Sequence, residues 1–410
     1  MTSLLAIAAT FAASLSAQLA LSEAPFGGRV EGEGTVAVKG ARIVTVSGEE
    51  IDGGTVLIRG GRIEAVGKEV EIPYDARVID GAKKVVMPGL VEAHTFRGTD
   101  RPNERQASVP FVSTFDSINP VDPYFEDSLR QGMTALFVLP GNDTMIGGQG
   151  CVVRPVGVTT ESMVVARNAA IKISLKPRAG MSRMAHLAAL RRELEDVSEM
   201  LKEKESKNPD LEIKREPMAR LLKGVTPAFV YCPTASDVHR AIELSETYKF
   251  KMKLVLGRDG WKAADEIAKH KLDVILAPEV AYWETDEEKH EEVRRSGVAA
   301  LAKAGVKVAL QTESQGFGTN YLWYQAATAV KYGLSRQEAL KAMTLWPAEI
   351  IGLGSRMGSI EKGKDGNLVI LTGDPLDAQT WVDLVLIEGK VVYERSKDEK
   401  LKRVMEFRRP

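Results

Sequence analysis

Chemistry in this chain is most readily placed at His94, which closes the stretch VVMPGLVEAHTFRG at 85–98. Two β-branched residues and a Met run into a Pro-Gly break, and four mostly apolar residues then deliver the imidazole. That pattern predicts a buried strand over 85–94 ending in a histidine. In an α/β barrel the reactive groups stand at the C-terminal ends of the strands, so a His there is placed to ligate a metal. It is equally placed to hydrogen-bond a neighbouring loop. The other four histidines, His186, His239, His270 and His290, fall in helical or loop segments. His239 stands near a helix start at the same end of the barrel, as a possible further donor, and the remaining three read as exposed structural residues. Cys151 and Cys232 are the only cysteines; in a chain with this much core they read as buried thiols rather than a disulfide.

The elements that must position His94 follow from hydrophobic periodicity. Apolar runs at 134–140, 169–175, 227–232, 253–257, 273–278 and 306–312 are candidate strands. With 85–94 they make seven, and 150–157 or 162–166 holds the eighth. Segments 236–248, 261–269, 287–304 and 335–346 have helical spacing between them. Repeated βα units of this kind predict a (β/α)8 barrel over 85–356, with a doubly wound open sheet as its rival. The flanks decide for the barrel. Short β-branched runs punctuated by Gly-Gly, Asp-Gly and Ser-Gly fill 28–84, and the same grammar returns at 357–396, so both chain ends are expected to build one small β-sandwich.

Two inserted stretches stand out. Residues 181–223 carry Glu and Lys at three- and four-residue spacings, as in a solvated helical hairpin lying over the barrel mouth. The loop at 140–154 (PGNDTMIGGQGCVVR) is too rich in Gly and Asn for regular structure and is expected to line the pocket with Asn142 and Gln149. It lacks the Gly-Lys-Ser/Thr of a phosphate-cradling loop.

With 55 basic against 56 acidic residues the chain has no charge bias toward nucleic acid or an anionic membrane surface. Its first residues, MTSLLAIAATFAASLSAQLALSEAP, read as a signal peptide over 1–24, cut near Ala17, Ala20 or Ala24. The stretch has no Lys or Arg ahead of its apolar run, and an uncleaved anchor or a start placed too far upstream is the other reading. Export to the periplasm or beyond is the expectation. No later run reaches the ~20 apolar residues that span a bilayer.

The motif at 88–94 resembles the amidohydrolase superfamily, whose first barrel strand typically reads Pro-Gly-hydrophobic-hydrophobic-Asp-x-His-x-His and supplies two zinc-binding imidazoles. Pro88, Gly89, Leu90, Val91 and His94 match, Glu92 replaces the Asp, and Phe96 stands where the second His belongs. The closing Gly-Ser-Ile-Glu-x-Gly-Lys run and the Ile-x-Gly-x-Val-Val hairpin resemble the end of the same family, and Gly-Gly-Gln-Gly at 147–150 resembles its imidazolonepropionase-like branch. The resemblance implies a barrel with a composite β-sandwich and a zinc-bound water whose pKa is brought to about 7.

It also implies where ligands belong. Lys172 falls on the fourth strand, where relatives carry a bridging Lys or Glu. Tyr231 and Pro233 stand where strand five carries His, Leu256 where strand six does, and Glu313 where strand eight carries the Asp that handles the proton of the attacking water. On that implication His94, Lys172 and Glu313 are the metal candidates, Glu313 the catalytic one, and Phe96, Asn142, Gln149, Tyr231 and Leu256 line the pocket. With three ligand positions lost, the expected cofactor is none or a single zinc. The expected function is a non-catalytic binding protein for a small-molecule or peptide-like ligand, or a subunit in a homo- or hetero-oligomer with another amidohydrolase-like chain. The alternative is an active hydrolase of C–N bonds in cyclic amides or dipeptide-like substrates.

Overall fold

In the computed structural model, residues 34–203, 209–286, 288, 290–313 and 320–406 are described. The segment read as a signal peptide lies outside them. Strands β1 (Thr35–Ile43), β2 (Ile51–Arg59), β3 (Arg62–Gly67), β4 (Arg77–Asp80) and β5 (Val85–Pro88) begin the small domain. The barrel strands follow as β6 (Leu90–Thr95), β7 (Met133–Val138), β8 (Ile146–Val153), β9 (Val164–Ser174), β10 (Ala228–Thr234), β11 (Met252–Asp259) and β12 (Val274–Ile275). A hairpin of β13 (Tyr282–Asp286) and β14 (Glu291–Arg295) precedes the last barrel strand, β15 (Val308–Ala309). Strands β16 (Leu368–Leu371), β17 (Val382–Ile387) and β18 (Lys390–Glu394) then return to the small domain.

The single strand expected over 85–94 is two strands in two sheets. β5 pairs with β1 and β16 in the small domain, and β6 pairs with β7 in the barrel. Pro88 ends the first strand, where its missing N–H costs least. Gly89 turns the chain across, donating its N–H to the Asn367 carbonyl at 3.0 Å. A Cβ at Gly89 would sit 2.2 Å from the Thr134 side chain, so the crossover's close approach to β7 requires glycine there.

Both chain ends form one continuous eight-stranded sheet, in the path β18-β17-β16-β5-β1-β2-β3 with β4 on β1. It curls on itself: Gly61 beside one edge packs on Glu388 near the other, and Val36, Val38, Ile58, Ile63, Ile370 and Leu386 share one core. A buried ion pair ties this sheet to the barrel, with Arg154 Nη2 donating to Glu388 Oε1 at 2.5 Å. Arg356 Nη2 lies 3.8 Å from the same carboxylate.

The barrel sheet runs β15-β12-β11-β10-β9-β8-β7-β6. Side chains alternate across it as the period of two demands. Val91, Ala93, Phe137, Phe229, Val255, Ile275 and Ala309 point inward, with Phe137 and Phe229 edge to face at 5.0 Å. The neighbouring residues, such as Val138, Ile171, Val230 and Leu254, join the core under the outer helices.

Three expectations are corrected. The Gly-rich loop at 140–154 contains β8, a fully buried strand antiparallel to both neighbours; Gly150 is pressed against Leu139 and Phe137 so closely that a Cβ would come within 2.8 Å of each ring or chain end. The charged stretch at 181–223 is not an insert over the mouth. Its helices Arg183–Met200 and Pro209–Leu222 join β9 to β10 in the outer layer, where Leu187, Leu190, Leu194 and Val197 are buried at helical spacing. The helix expected over 287–304 shrinks to Gly297–Lys303, because the charged residues before it pair across the β13–β14 hairpin. Glu284 accepts from Arg295 at 3.0 Å, and Arg294 covers the Trp283 ring at 5.3 Å. Charges spaced for one helix face suit a cross-strand ladder equally well.

Among the described residues the edge strands β15 and β6 share no backbone ladder. Leu310, just past β15, and Val91, near the start of β6, both bond to one turn instead, Leu310 N–H to the Ala342 carbonyl and Val91 N–H to the Met343 carbonyl, each at 3.0 Å. At their C-terminal ends side chains close the seam, and these belong to the candidate site. Among the described residues no helix is long and apolar enough to cross a membrane.

Candidate site at the barrel seam

A register shift between Glu92 and Thr95 in the β6–β7 ladder frees this strand end to face residues 311–313. Three links span the gap. The Glu92 carboxyl accepts from the Thr312 hydroxyl at 2.8 Å and from its backbone N–H at 3.3 Å. His94 Nδ1 meets Gln311 Oε1 at 2.8 Å. Glu313 Oε1 accepts from the Thr95 hydroxyl and, at 3.1 Å, from the Phe96 N–H.

The imidazole is held in one tautomer by its neighbours. Gln311 Nε2 donates to the Leu276 carbonyl at 2.6 Å, which turns Oε1 toward the ring. Nδ1 must therefore carry the proton and donate it to Gln311, leaving Nε2 with a lone pair. Lys172 Nζ donates to that lone pair at 2.6 Å. Gln325 Nε2 braces the Gln311 carbonyl at 2.5 Å from the helix Leu322–Lys331. The Tyr231 ring centroid lies 5.8 Å from Lys172 Nζ, and the Phe96 ring stands edge-on to His94 at 6.5 Å.

Burial sets the electrostatics. Glu92, His94 and Lys172 are fully buried. Desolvation penalises charge on each. It lowers Lys172 to about 7, and it pushes His94 well below the usual histidine range with help from the lysine charge. Burial also raises the carboxyl of Glu313, and that of Glu92, where the Glu313 charge adds to the effect. All four shifts favour neutral groups. The centre is thus a Lys172–His94–Gln311 hydrogen-bond chain flanked by the separate Glu313–Thr95 and Glu92–Thr312 links, with little fixed charge.

His94, Lys172, Glu313, Phe96 and Tyr231 are brought together as the sequence suggested. Leu256 is not: on β11 Val255 points inward, so Leu256 belongs to the outer core, and Gly257 takes the inward position against Pro233 and Tyr231. Asn142 and Gln149 make no hydrogen bond to the centre among the described residues; Asn142 accepts from Ser174 at its carbonyl, and Gln149 pairs with Ile171 across β8 and β9. His239 is exposed on the outer helix Ala235–Tyr248. His186, expected to be exposed, is buried, with Nε2 2.8 Å from the Ser174 carbonyl. Gln311 and Thr95 went unread. Gln311 lies two residues before Glu313, and period-two alternation puts both on one face.

A curled sheet built from both ends and a barrel with its polar residues at the strand ends define a class. The Amidohydrolase family profile matches residues 152–392, and the chain belongs to that family. It falls in the imidazolonepropionase-like branch. It is 24% identical over 391 residues to the imidazolonepropionase of Sphingopyxis alaskensis, covering 82% of this chain and 92% of that protein. It is 22% identical over 395 residues to the amidohydrolase tasK of Hapsidospora irregularis, where the match covers 80% of this chain and 39% of tasK. A crystal structure of an amidohydrolase from Thermotoga maritima MSB8 superposes with a TM-score of 0.80 at 29% identity, over 88% of this chain and 100% of that one.

Proposed function

We propose that this chain is an amidohydrolase-like binding protein, or the non-hydrolytic partner of an active homologous subunit, in which a protein-only hydrogen-bond chain replaces the metal centre. One observation carries the reading. The Nε2 lone pair of His94, the imidazole that matches the family motif, is taken by Lys172 at 2.6 Å, while Nδ1 is committed to Gln311. Glu92 accepts from Thr312 with both carboxylate oxygens, and Glu313 accepts from Thr95 and Phe96 with Oε1. Among the described residues no three His, Cys, Asp or Glu side chains converge as ligands. These donors do not fit a zinc ion, which needs three or four lone pairs in tetrahedral array. The ligand would be a small molecule or a peptide-like segment, and the protein would act after export.

The test is elemental analysis of protein made in zinc-supplemented medium and purified without chelator. Well under about 0.2 equivalents of any divalent metal is expected, since a structural or catalytic zinc site binds stoichiometrically. One equivalent of zinc, with amide hydrolysis that chelation abolishes, would refute the proposal.

A second reading has a specific support in Glu313, a buried carboxyl with raised pKa at the strand end. Such a group suits a metal-free general base for C–N hydrolysis. If any hydrolysis of cyclic amides or dipeptide-like substrates is found, Glu313→Gln should reduce kcat by at least ~100-fold. Turnover that survives that change rules this base out.

A further inference from the structure

A cavity of about 840 Å³ lies on the flank of the barrel, between the helix Pro123–Arg130, the start of the helix Leu322–Lys331 and the composite sheet. It adjoins the seam without sharing its centre: His94, Lys172, Glu313 and Tyr231 do not line it, while Arg97 and Tyr124 on its wall act electrostatically on Glu313 and Glu92. Its size is that of a small-molecule site. Tyr124, Tyr321, Trp323 and Trp381 contribute aromatic wall, and the floor is apolar, including Leu90 and Met343.

The charged residues of the lining sort into committed and uncommitted. Arg130 is shared among Glu126, Asp127 and Asp398. Asp122 caps the helix by accepting the Tyr124 N–H at 2.8 Å. Asp377, exposed at the rim, accepts the Gln379 N–H at 2.9 Å. Arg97 differs. Its backbone N–H bonds to Thr95, but its guanidinium forms no ion pair among the described residues. The group instead lies 5.4 Å from the Tyr124 ring centroid. Contact with an aromatic ring holds the guanidinium in place without consuming its N–H donors. The Tyr124 hydroxyl is a second such group: it is buried beside Thr95 and has no well-aligned hydrogen-bond partner among the described residues. A half-buried cation whose fork has no partner among the described residues, set in aromatic walls, matches a planar anion on an aromatic body.

We propose that this flank cavity binds a small aromatic carboxylate, with the carboxylate on Arg97 and the ring among Tyr321, Trp323 and Trp381. The site stands whether or not the seam hydrolyses anything.

Calorimetric titration of the full chain with 1-naphthaleneacetate, its neutral amide and the matching 1-naphthylethylamine tests this. The acid should bind saturably and at least ~10-fold tighter than the amide, as a charge-assisted bidentate contact implies. Arg97→Gln should remove that preference and leave the amide unchanged. Arg97→Lys, which keeps the charge but not the fork, should fall between, and Trp323→Ala should weaken acid and amide alike. Equal affinity for acid and amide, preference for the amine, no saturable binding of the acid, or an unchanged preference in folded Arg97→Gln would each overturn the proposal. Zinc content and hydrolysis play no part in these readouts, so failure here is distinct from failure of the functional reading above.

Discussion

The wild-type protein should gain stability over the Lys172→Met variant as pH rises from 7 to 10. Burial lowers the Lys172 pKa from its ordinary value to about 7. Between that value and the unfolded lysine value of roughly 10.4, the unfolded chain binds more protons than the folded one. Raising pH through this window therefore favours the fold, and lowering it toward 7 removes that stability. One proton limits the slope to about 1.4 kcal/mol per pH unit. Urea denaturation of both proteins at pH 7, 8.5 and 10 reads the difference directly. Parallel stability curves would mean that the amine is not desolvated as its burial implies. Taking the difference between the two proteins removes the titration of surface lysines, which is common to both.

Arg154→Ala should cost about 2–4 kcal/mol and Arg154→Met/Glu388→Met much less. The side chains of this pair are 4% and 6% exposed, and it joins β8 of the barrel to the turn between β17 and β18. Removing one member leaves the other's charge in a poorly solvated place, whereas replacing both by apolar groups removes the desolvation cost with the attraction. Arg356, 3.8 Å from Glu388, offsets part of the loss and sets the estimate below the usual range for a broken buried pair. Chemical denaturation of the two variants measures both values. A single-variant cost within about 0.5 kcal/mol of zero, the level of an ordinary surface change, would refute this account of the barrel-to-sheet junction.

The sequence made the barrel legible because its strands are short apolar runs bounded by helices with clear capping signals, such as Ser335 ahead of Arg336–Ala342. The composite small domain was legible from the matching Gly-punctuated runs at both ends. The antiparallel β8 was not, since its glycines signal a turn when the neighbours that press on them are unknown. At the site, Glu313 and Lys172 were found from the family pattern, while the period-two alternation within each strand was readable but not used. Leu256 was misplaced because alignment to a motif ignored that same parity. The partners of His94 were hidden for another reason: Gln311 is 217 residues away in the chain, and only the seam brings them within 2.8 Å.

In a barrel closed by peptide hydrogen bonds, side chains at the first and last strand ends are free to change as chemistry demands. Here Glu92, His94 and Thr95 fasten onto Thr312, Gln311 and Glu313, so the wall's last join is made of side chains rather than of a backbone ladder. Replacing any of these side chains by one that cannot make its link would unfasten the wall at that point. A change at one of these positions must then be matched by a change at its partner, which makes the present arrangement hard to leave by single substitutions.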